Sequence, residues 1–497
     1  MASITAVPER EAGADRSVEF LPIGRGRIRF IPPLETYPRV VAFAATGYGR
    51  SALLLLFGLL LAPANPLWLP ITMGAAACAY AGSYRRWVLL PATLGLLCLA
   101  PQGTMPARIA AAEGVTSALL LALLPYLTLA AIFALSAAAI AGALRFPRSL
   151  IFRRPILSLH VLVVGLLLFA GADILHGAAR LLLWFFLVPL CGYFWFLSYA
   201  LRDQRASDRW PVLPQLGIFH PFWGSTSTPF GKGAAYLRRV EAANAQELAV
   251  TQLKGLKLLI WAYFLKALSA GFAEVIHGYL QVPTFGDAFA QQIAGLSVPP
   301  LICWAALISR FFEDLLSMAI GGHVIVASAR MAGFRLLRNT YKPLAARTIA
   351  EFWNRYYFYF KELLVEFYYY PTFLRCFKRH RRLRMLFATF AAAGAGNAFF
   401  HFIRDVDYVD RMGLAGALVG YQTYLFYCVL LSVGIGLSQL RQTRRRAERG
   451  FRATVAAPAS VAAFYCMLLV FNDEGRQYSL ADHFRFLFHL LGAGQWM

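Results

Sequence analysis

The chain has 497 residues, of which 59% are hydrophobic and only 15% are charged. A typical soluble domain has about 25% charged residues, so this composition excludes a disordered protein, a fibrous protein and most soluble enzymes. The 48 Lys and Arg outnumber the 25 Asp and Glu, for a net charge of +23, and membrane proteins collect such a surplus on their cytoplasmic loops. With no zinc-finger spacing, Walker loop or RNA-binding signature in the sequence, we expect membrane lipids and no nucleic acid as partners.

The N-terminal segment 1–50 is rich in arginine and has no apolar stretch of signal-peptide length, so we expect it to be uncleaved and cytoplasmic. Beyond it, apolar runs recur along the chain. Because a membrane crossing takes about 20 mostly apolar residues, these runs predict an all-α polytopic membrane protein with about ten to twelve transmembrane helices. The runs lie at 51–62 with 67–83, 86–100, 114–143, 156–175, 178–200, 256–280, 298–332, 385–402, 413–438 and 455–472, with an interfacial aromatic stretch at 483–493.

The loops between these runs differ sharply in charge. Five are rich in Arg and Lys, whereas the loop 281–297 has neither, and 405–410 reads Asp-Val-Asp-Tyr-Val-Asp. By the positive-inside rule the basic loops are cytoplasmic and the other two are outside, which predicts a multi-pass protein of the cell (inner) membrane. The basic loops lie near 145–154, 202–209, 335–338, 375–384 and 441–452.

The segment 202–253 mixes aromatic residues with Gly, Pro and hydroxyl side chains between 219 and 233. This composition suits a re-entrant loop that lines an entrance for substrate, and it equally suits an ordinary ordered surface loop.

Ionisable residues inside the run 298–332 form the first candidate group. Arg310, Glu313 and Asp314 are spaced by three and four residues, so they share one helical face, and His323 follows in the same run. Charged groups in a membrane span mark function or pair with one another. An internal ion pair that fixes packing and a substrate-facing group both fit this pattern.

The segment 351–371 forms the second group, because aromatic and charged residues are unusually dense there. The pattern predicts a helix with an apolar stripe that lies at the membrane interface, with the polar residues largely on its other side. The stripe consists of Trp353, Tyr356, Tyr357, Phe360, Leu364 and Phe367, and the polar residues are Asn354, Arg355, Lys361 and Glu362.

Asn397, His401 and Asp405 form the third group, because a spacing of four places them on one helical face. A neutral imidazole with one ring nitrogen held by a carboxylate or an amide is the usual construction of a general base. A histidine that simply satisfies its own hydrogen bonds in a core is the alternative. The small residues 391–396 before this group allow close helix packing or a narrow passage. The histidines at 160, 176, 220, 277, 483 and 489 lack such neighbours and are interpreted as structural.

The seven cysteines are scattered singly and form no C-x-x-C pair, so we expect neither a disulfide framework nor a metal site.

The stretch 329–355 carries a family resemblance. It reads Ala-Arg-Met-Ala-Gly-Phe-Arg at 329–335, Asn-Thr-Tyr-Lys-Pro at 339–343 and Thr-Ile-Ala-Glu-Phe-Trp-Asn-Arg at 348–355, with Glu366, Tyr369 and Pro371 beyond it. These motifs resemble the membrane-bound O-acyltransferase family, in the bacterial branch of alginate O-acetylation and teichoic-acid D-alanylation. His401 falls where that family has its invariant histidine. Weaker matches at 213–216 and 255–266 extend the resemblance to about 210–405.

The sequence departs from the family pattern at three places. Tyr356-Tyr357 stands where the family has Trp-His, the residues around His401 differ, and His323 stands where the family has an aspartate.

The resemblance implies helices around a central tunnel. An acyl thioester, from acyl-CoA or an acyl-carrier protein, would enter from the cytoplasm as co-substrate, with no bound cofactor. His401 would act as general base on a hydroxyl of a cell-surface glycan or lipid, with an extracytoplasmic transferase as a further expected partner. Asn397, Tyr357 and Asn354 are the candidate oxyanion donors. The expected tunnel-lining or supporting residues are Trp353, Arg355, Glu366, Glu313, Asp314, His323 and Asp405.

The resulting organisation is an N-terminal segment, transmembrane helices at 51–201, a core at 202–405 and further transmembrane helices at 406–497. Two other functions remain open: a transporter or flippase for a lipid-linked or glycan intermediate, and a non-catalytic scaffold for surface-polymer assembly.

Overall fold

The computed structural model describes residues 31–99, 104–115, 117–172, 174–205, 209–224, 226–442, 455–473 and 475–493. The structure is 78% helical, and the described residues form no β-strand, only an isolated bridge between Glu241 and Phe334. This confirms the predicted all-α class. Most of the predicted N-terminal segment and most of the basic loop 441–452 lie outside the described residues.

Five helices are long and apolar enough to cross a membrane, and a sixth span is formed if two helices that meet at 92° are counted together. The chain is therefore an all-α polytopic membrane protein, as predicted, while the larger number of spans stays a prediction. The five helices are Ala118–Arg145, Gly177–Asp203, Ala245–Tyr279, Arg381–Arg404 and Gln422–Arg441, and the bent pair is Pro38–Ala45 with Gly47–Leu61.

The other described helices are mostly shorter, with one exception of 32 residues, Pro300–Met331. They are Trp68–Tyr80, Arg85–Leu99, Thr104–Ala112, Leu150–Arg153, Pro155–Gly171, Val212–Leu216, Ala234–Val240, Phe285–Ile293, Ile349–Tyr356, Phe358–Leu364, Tyr370–Arg375, Asp407–Gly420, Ala457–Leu468 and Leu480–Leu490.

Hydroxyl and amide side chains start several of these helices. The side chain of Asn244 accepts a hydrogen bond from the backbone N–H of Glu247, and Thr348 does the same for Glu351. Each cap satisfies one of the backbone donors that the first helical turn leaves without a partner. Ser479 and Asp482 form a complete capping box at the last helix.

The predicted run 413–438 is not one helix, which corrects the sequence prediction. The chain breaks at Tyr421 between the helices Asp407–Gly420 and Gln422–Gln442, and Gly413 has non-helical angles of φ 69° and ψ 167°. A hydropathy pattern detects neither feature, because a turn at an aromatic residue and a positive φ at a glycine both leave the apolar composition unchanged.

Segments of π-helix occur at Glu274–Tyr279, Val365–Tyr369 and Phe390–Gly396. Such wide turns often occur at functional sites. The last one directly precedes Asn397, and a Cβ atom on its Gly396 would lie only 2.6 Å from Cδ2 of Tyr368. The small residues before His401 therefore permit the close packing that the sequence predicted.

Ion pairs mark the end of the bundle that carries residues 405–410, which we call the acid end. Asp410 lies 2.8 Å from Arg180 and 2.5 Å from Arg108, and Arg180 also lies 2.7 Å from Glu113. Because these residues come from three parts of the chain, the pairs tie the N-terminal helices to the C-terminal third.

A buried arginine makes a second long-range connection. Arg85 is 2% exposed, and its guanidinium donates to the backbone of Cys78 and Ala242 and to the Glu241 carboxylate. Gly333, with φ +95°, leaves room for it, since an added Cβ would lie 2.8 Å from the guanidinium carbon. This packing explains why the 329–335 motif has a glycine at position 333.

Candidate active site

His401 lies in the helix Asn397–Arg404, near the acid end. Asn397 is buried one turn earlier, and the two residues share a helical face, as the spacing of four predicted. Asp405 directly follows the last residue of this helix, and its carboxylate accepts two hydrogen bonds from Arg404, of 2.7 and 3.0 Å. The predicted pairing of the imidazole with Asp405 is therefore not formed.

The ring of His401 differs from those of two other helical histidines. In His160 and His323, Nδ1 lies within hydrogen-bond distance of the backbone carbonyl four residues earlier. In His401, Nδ1 is enclosed and has no hydrogen-bond partner among the described residues. The residue as a whole is half-buried, so its exposed surface lies elsewhere than at Nδ1. No backbone bond therefore fixes the tautomer of this ring.

Aromatic rings form the walls around His401. The edge of Phe360 meets the imidazole at 5.8 Å between ring centroids, and Tyr424 lies at 4.7 Å on the neighbouring helix. Tyr424 in turn stacks on Tyr421 and Tyr427. The sequence analysis missed these tyrosines, although their spacing of three along one apolar run of the sequence is a signal that could have identified them.

Several of the predicted site residues have buried polar atoms without a hydrogen-bond partner. Trp353, which contacts Phe360 at 5.9 Å, has a partner-free Nε1, and the neighbouring Asn354 has a partner-free Oδ1. Both polar atoms of the Asn397 amide lack partners too, although this residue is only 1% exposed. These statements hold for the described part of the chain. These atoms are available for hydrogen bonds to a ligand, and similar atoms occur elsewhere in the described residues, for example in Trp195 and Gln252.

Tyr357 separates two helices instead of continuing one, which corrects the predicted uninterrupted stripe over 353–367. Its angles, φ −138° and ψ 77°, end the helix Ile349–Tyr356. Its hydroxyl lies 2.9 Å from Oγ1 of Thr226 and donates to Thr228 at 3.1 Å. Burial raises the pKa of Tyr357, although both threonine contacts act in the opposite direction. Its hydroxyl is therefore a proton-bearing hydrogen-bond donor.

The remaining predicted support residues are dispersed. Glu313 lies 2.8 Å from His277, so this histidine has a carboxylate partner that the sequence analysis did not expect. Asp314 lies 3.0 Å from Arg310. Of the predicted mutual neutralisation, the described residues show the pair between Arg310 and Asp314, whereas Glu313 pairs with His277 on a different helix. His323 is buried in the same helix as Glu313.

Arg355 and Glu366 also lie in ion pairs. Arg355 pairs with Glu351 on its own helix at 2.8 Å. Glu366 contacts Arg202 and lies 2.9 Å from Nζ of Lys232. Lys232 reaches Glu362 as well, at 2.5 Å, so one ammonium group joins two carboxylates that are four residues apart. We call Arg202, Lys232, Glu362 and Glu366 the Lys232 cluster. The sequence analysis did not identify Lys232 as a candidate site residue.

Within the described residues, no group of three or more His, Cys, Asp or Glu side chains is arranged to hold a metal ion. Five of the seven cysteines are buried, Cys98 is exposed, and all seven are free thiols.

No protein-family model matches the sequence, and a search of curated proteins finds no matching relative. The resemblance to the O-acyltransferase motifs therefore stays a prediction. What the structure contributes to it is a half-buried histidine that packs against aromatic rings, with no backbone hydrogen bond to its ring, at one end of a membrane-spanning helix.

Proposed function

We propose that this chain is a membrane O-acyltransferase that moves an acyl group from a thioester to the hydroxyl of a cell-surface glycan or lipid. The observation that carries the proposal is the environment of His401, whose Nδ1 has no partner among the described residues. In this proposal Nε2 is the proton acceptor, which requires the proton of the neutral ring to lie on Nδ1. The motif at 329–355 adds support, because it is the part of the sequence that resembles known acyltransferases.

In the proposed reaction, Nε2 of His401 removes the proton of the acceptor hydroxyl as its oxygen attacks the thioester carbonyl. The tetrahedral intermediate collapses, the C–S bond breaks, and the imidazolium returns the proton to the departing thiolate. The products are an ester and a free thiol. A positioned base of this kind supplies about 10²–10⁴-fold in rate.

Three polar side chains are proposed to assist this step. Asn397 is one turn from His401, and a rotation of its partner-free amide would let its Oδ1 accept a hydrogen bond from the Nδ1–H group and hold the ring. Tyr357 and Asn354 are the proposed donors to the developing oxyanion. Preorganised donors at that oxygen are commonly worth about 10²–10³-fold each.

The thioester is proposed to arrive at the opposite end of the bundle, which carries the exposed basic segment 375–384. Six of these ten residues are Arg or Lys and none is acidic. Such a surface attracts the phosphates of coenzyme A or of an acyl-carrier protein. By the positive-inside rule this end and the N-terminus are cytoplasmic, and the acid end faces outward in the inner membrane.

The experiment that tests this function uses proteoliposomes with radiolabelled acyl-CoA sealed inside and acceptor lipids or glycans outside. We expect hydroxylamine-sensitive label on the external acceptor, and none in protein-free liposomes. Label that stays on coenzyme A in both preparations contradicts the proposal.

The pair formed by His277 and Glu313 favours a transporter as the second candidate, because ion pairs among membrane helices often line substrate paths. Neutral variants at Glu313 and Asp314 that abolish transport, while His401→Ala retains it, would favour that function. Full complementation of a deletion strain by variants at both His401 and Trp353 would favour a non-catalytic scaffold.

A further inference from the structure

Two neighbouring membrane-spanning helices present apolar side chains on the outside of the bundle. On the helix Gln422–Gln442 the exposed apolar residues recur every four positions, at Leu425, Val429, Val433 and Leu437. On the span Arg381–Arg404 they are Leu383, Phe387 and Phe390. Because lipid tails are as apolar as these side chains, both stripes face the surrounding lipid.

Close packing joins the two helices near the basic end of the bundle, which is the end that carries the segment 375–384. An added Cβ on Gly436 would lie only 2.8 Å from Cδ2 of Leu386, so the glycine leaves room for that leucine. The hydroxyl of Thr389 donates a buried hydrogen bond of 2.8 Å to Oε1 of Gln439. The two helices are therefore fixed relative to each other close to the ends that carry their arginines.

An arginine lies at this end of each helix. Arg441 is four residues past Leu437, so it continues the lipid-facing stripe of its helix by one turn. Arg382 lies in the first turn of the other span. Both residues are exposed, and both lie at the boundary of a membrane-spanning segment, which is the depth of lipid headgroups.

Four side chains line one cavity of about 150 Å³ at this boundary, namely Arg382, Arg441, Leu437 and Leu440. Among the described residues, neither guanidinium has a hydrogen-bond or ion-pair partner. The sequence has no Asp or Glu at 367–404 or at 411–447, so the two helices offer no carboxylate to either arginine. Two positive charges that share a cavity repel each other unless an anion compensates them.

We propose that this cavity binds the phosphate of an anionic phospholipid, in the leaflet that the positive-inside rule assigns to the cytoplasmic side. The two guanidinium groups offer planar forks that match phosphate oxygens. The occupant is a lipid and not a soluble phosphate, because half of the lining residues are leucines and Leu437 belongs to the lipid-facing stripe. Basic sites between membrane helices bind anionic headgroups by this combination of contacts.

This lipid is distinct from both substrates of the proposed reaction. The cavity lies at the end of the bundle opposite the acid end, whereas His401 lies near the acid end. The bound lipid therefore holds two helices together at the basic end, and its binding does not depend on acyl transfer.

Native mass spectrometry of the delipidated full-length protein in detergent tests this site. The protein is titrated with phosphatidylglycerol, which is anionic, and with phosphatidylcholine of identical acyl chains, which is zwitterionic. We expect the first phosphatidylglycerol to bind at least about tenfold more tightly than phosphatidylcholine, because two cations act on one anionic headgroup. The double variant Arg382→Gln with Arg441→Gln is expected to lose this preference.

Two further variants separate the cavity from the general basic charge. Arg375→Gln with Arg379→Gln removes two exposed arginines of the same basic segment that do not line the cavity, and it should keep the preference. Leu437→Trp fills the cavity but keeps both charges, and it should weaken the binding of phosphatidylglycerol.

Three results would overturn the proposal. The first is a preference that the double variant of Arg382 and Arg441 retains. The second is an equal loss of preference in the control pair, because net charge and not this cavity would then attract the lipid. The third is displacement of the lipid by inorganic phosphate or coenzyme A, because the cavity would then take soluble phosphates. Lipid binding without any acyl transfer would retain this site and refute the proposed enzyme activity.

Discussion

Nζ of Lys232 lies 2.5 Å from Oε2 of Glu362, and the same ammonium group lies 2.9 Å from Oε1 of Glu366. The lysine side chain is only 7% exposed. Lys232 lies at the end of the loop that carries Thr226 and Thr228, and these two threonines contact the Tyr357 hydroxyl. The ion pairs of Lys232 therefore hold this loop in place.

Lys232→Met is expected to destabilise the protein by about 3–5 kcal/mol, because removing one partner of a buried ion pair leaves uncompensated charge behind. The measurement is the thermal unfolding midpoint in detergent. Arg411→Gln, at an exposed pair, is the matched control and should change the free energy of unfolding by less than about 1 kcal/mol. Equal effects of the two substitutions would show that the Lys232 cluster contributes no more than a surface pair.

The same cluster predicts a dependence of stability on pH. Burial alone would raise the pKa of Glu362, but Lys361 and Lys232 together lower it from 4.5 to about 2. A carboxylate whose pKa is lower in the folded state stabilises the fold above its ordinary pKa, and this contribution disappears as the pH falls through the folded value.

We therefore expect the stability difference between wild type and Glu362→Gln to be full at neutral pH and to shrink between pH 4.5 and about 2. Thermal unfolding of both proteins across this range measures it. A difference that grows on acidification would contradict the assigned direction.

Gly333→Ala is expected to destabilise the protein by at least about 1–3 kcal/mol, because the glycine has a φ of +95° and its new Cβ would contact the Arg85 guanidinium. Gly95→Ala is the control, since an added Cβ there meets nothing within 4 Å and the residue lies inside a helix. That substitution should be neutral or stabilising by about 0.5–1 kcal/mol. Unfolding midpoints of the two variants decide the matter, and similar values would refute the packing role of Gly333.

Tyr357→Phe tests the proposed oxyanion donor. The variant keeps the ring, which packs on Phe360 at 5.4 Å, and removes only the hydroxyl. We expect the rate of acyl transfer to fall by about 10²-fold, with a loss of stability near 1 kcal/mol. Tyr48→Phe, at an exposed tyrosine, serves as the control. An unchanged kcat in Tyr357→Phe would assign this hydroxyl a purely structural role.

Much of the fold follows from local sequence patterns. Apolar runs identify helices such as Arg85–Leu99 and Pro155–Gly171 to within a few residues, because hydropathy and helix length are properties of neighbouring residues. The break at Tyr357 does not follow in this way. The flanking residues continue an apolar helical pattern, and the backbone departs from it where the Tyr357 hydroxyl meets threonines about 130 residues earlier in the chain.

The candidate site was predicted only in part, because local patterns describe neighbouring residues and not contacts between distant ones. The spacing of four correctly joins Asn397 and His401 on one face, but it also suggested Asp405, which lies one residue past the helix end and binds Arg404 instead. Arg476 lies more than 70 residues from His401 in sequence, so no local pattern predicts that the two residues share the aromatic wall formed by Tyr421 and Tyr424.

The rate of acyl transfer by His401→Ala, measured with purified protein and labelled acyl thioester, tests the proposed role of His401 most directly. Exposed His380 in the basic segment provides the control variant, His380→Ala. We predict that His401→Ala lowers the transfer rate by about 10²–10⁴-fold, while its unfolding midpoint and the activity of the control stay near wild type. Undiminished transfer by His401→Ala would contradict the assignment of this histidine as the base.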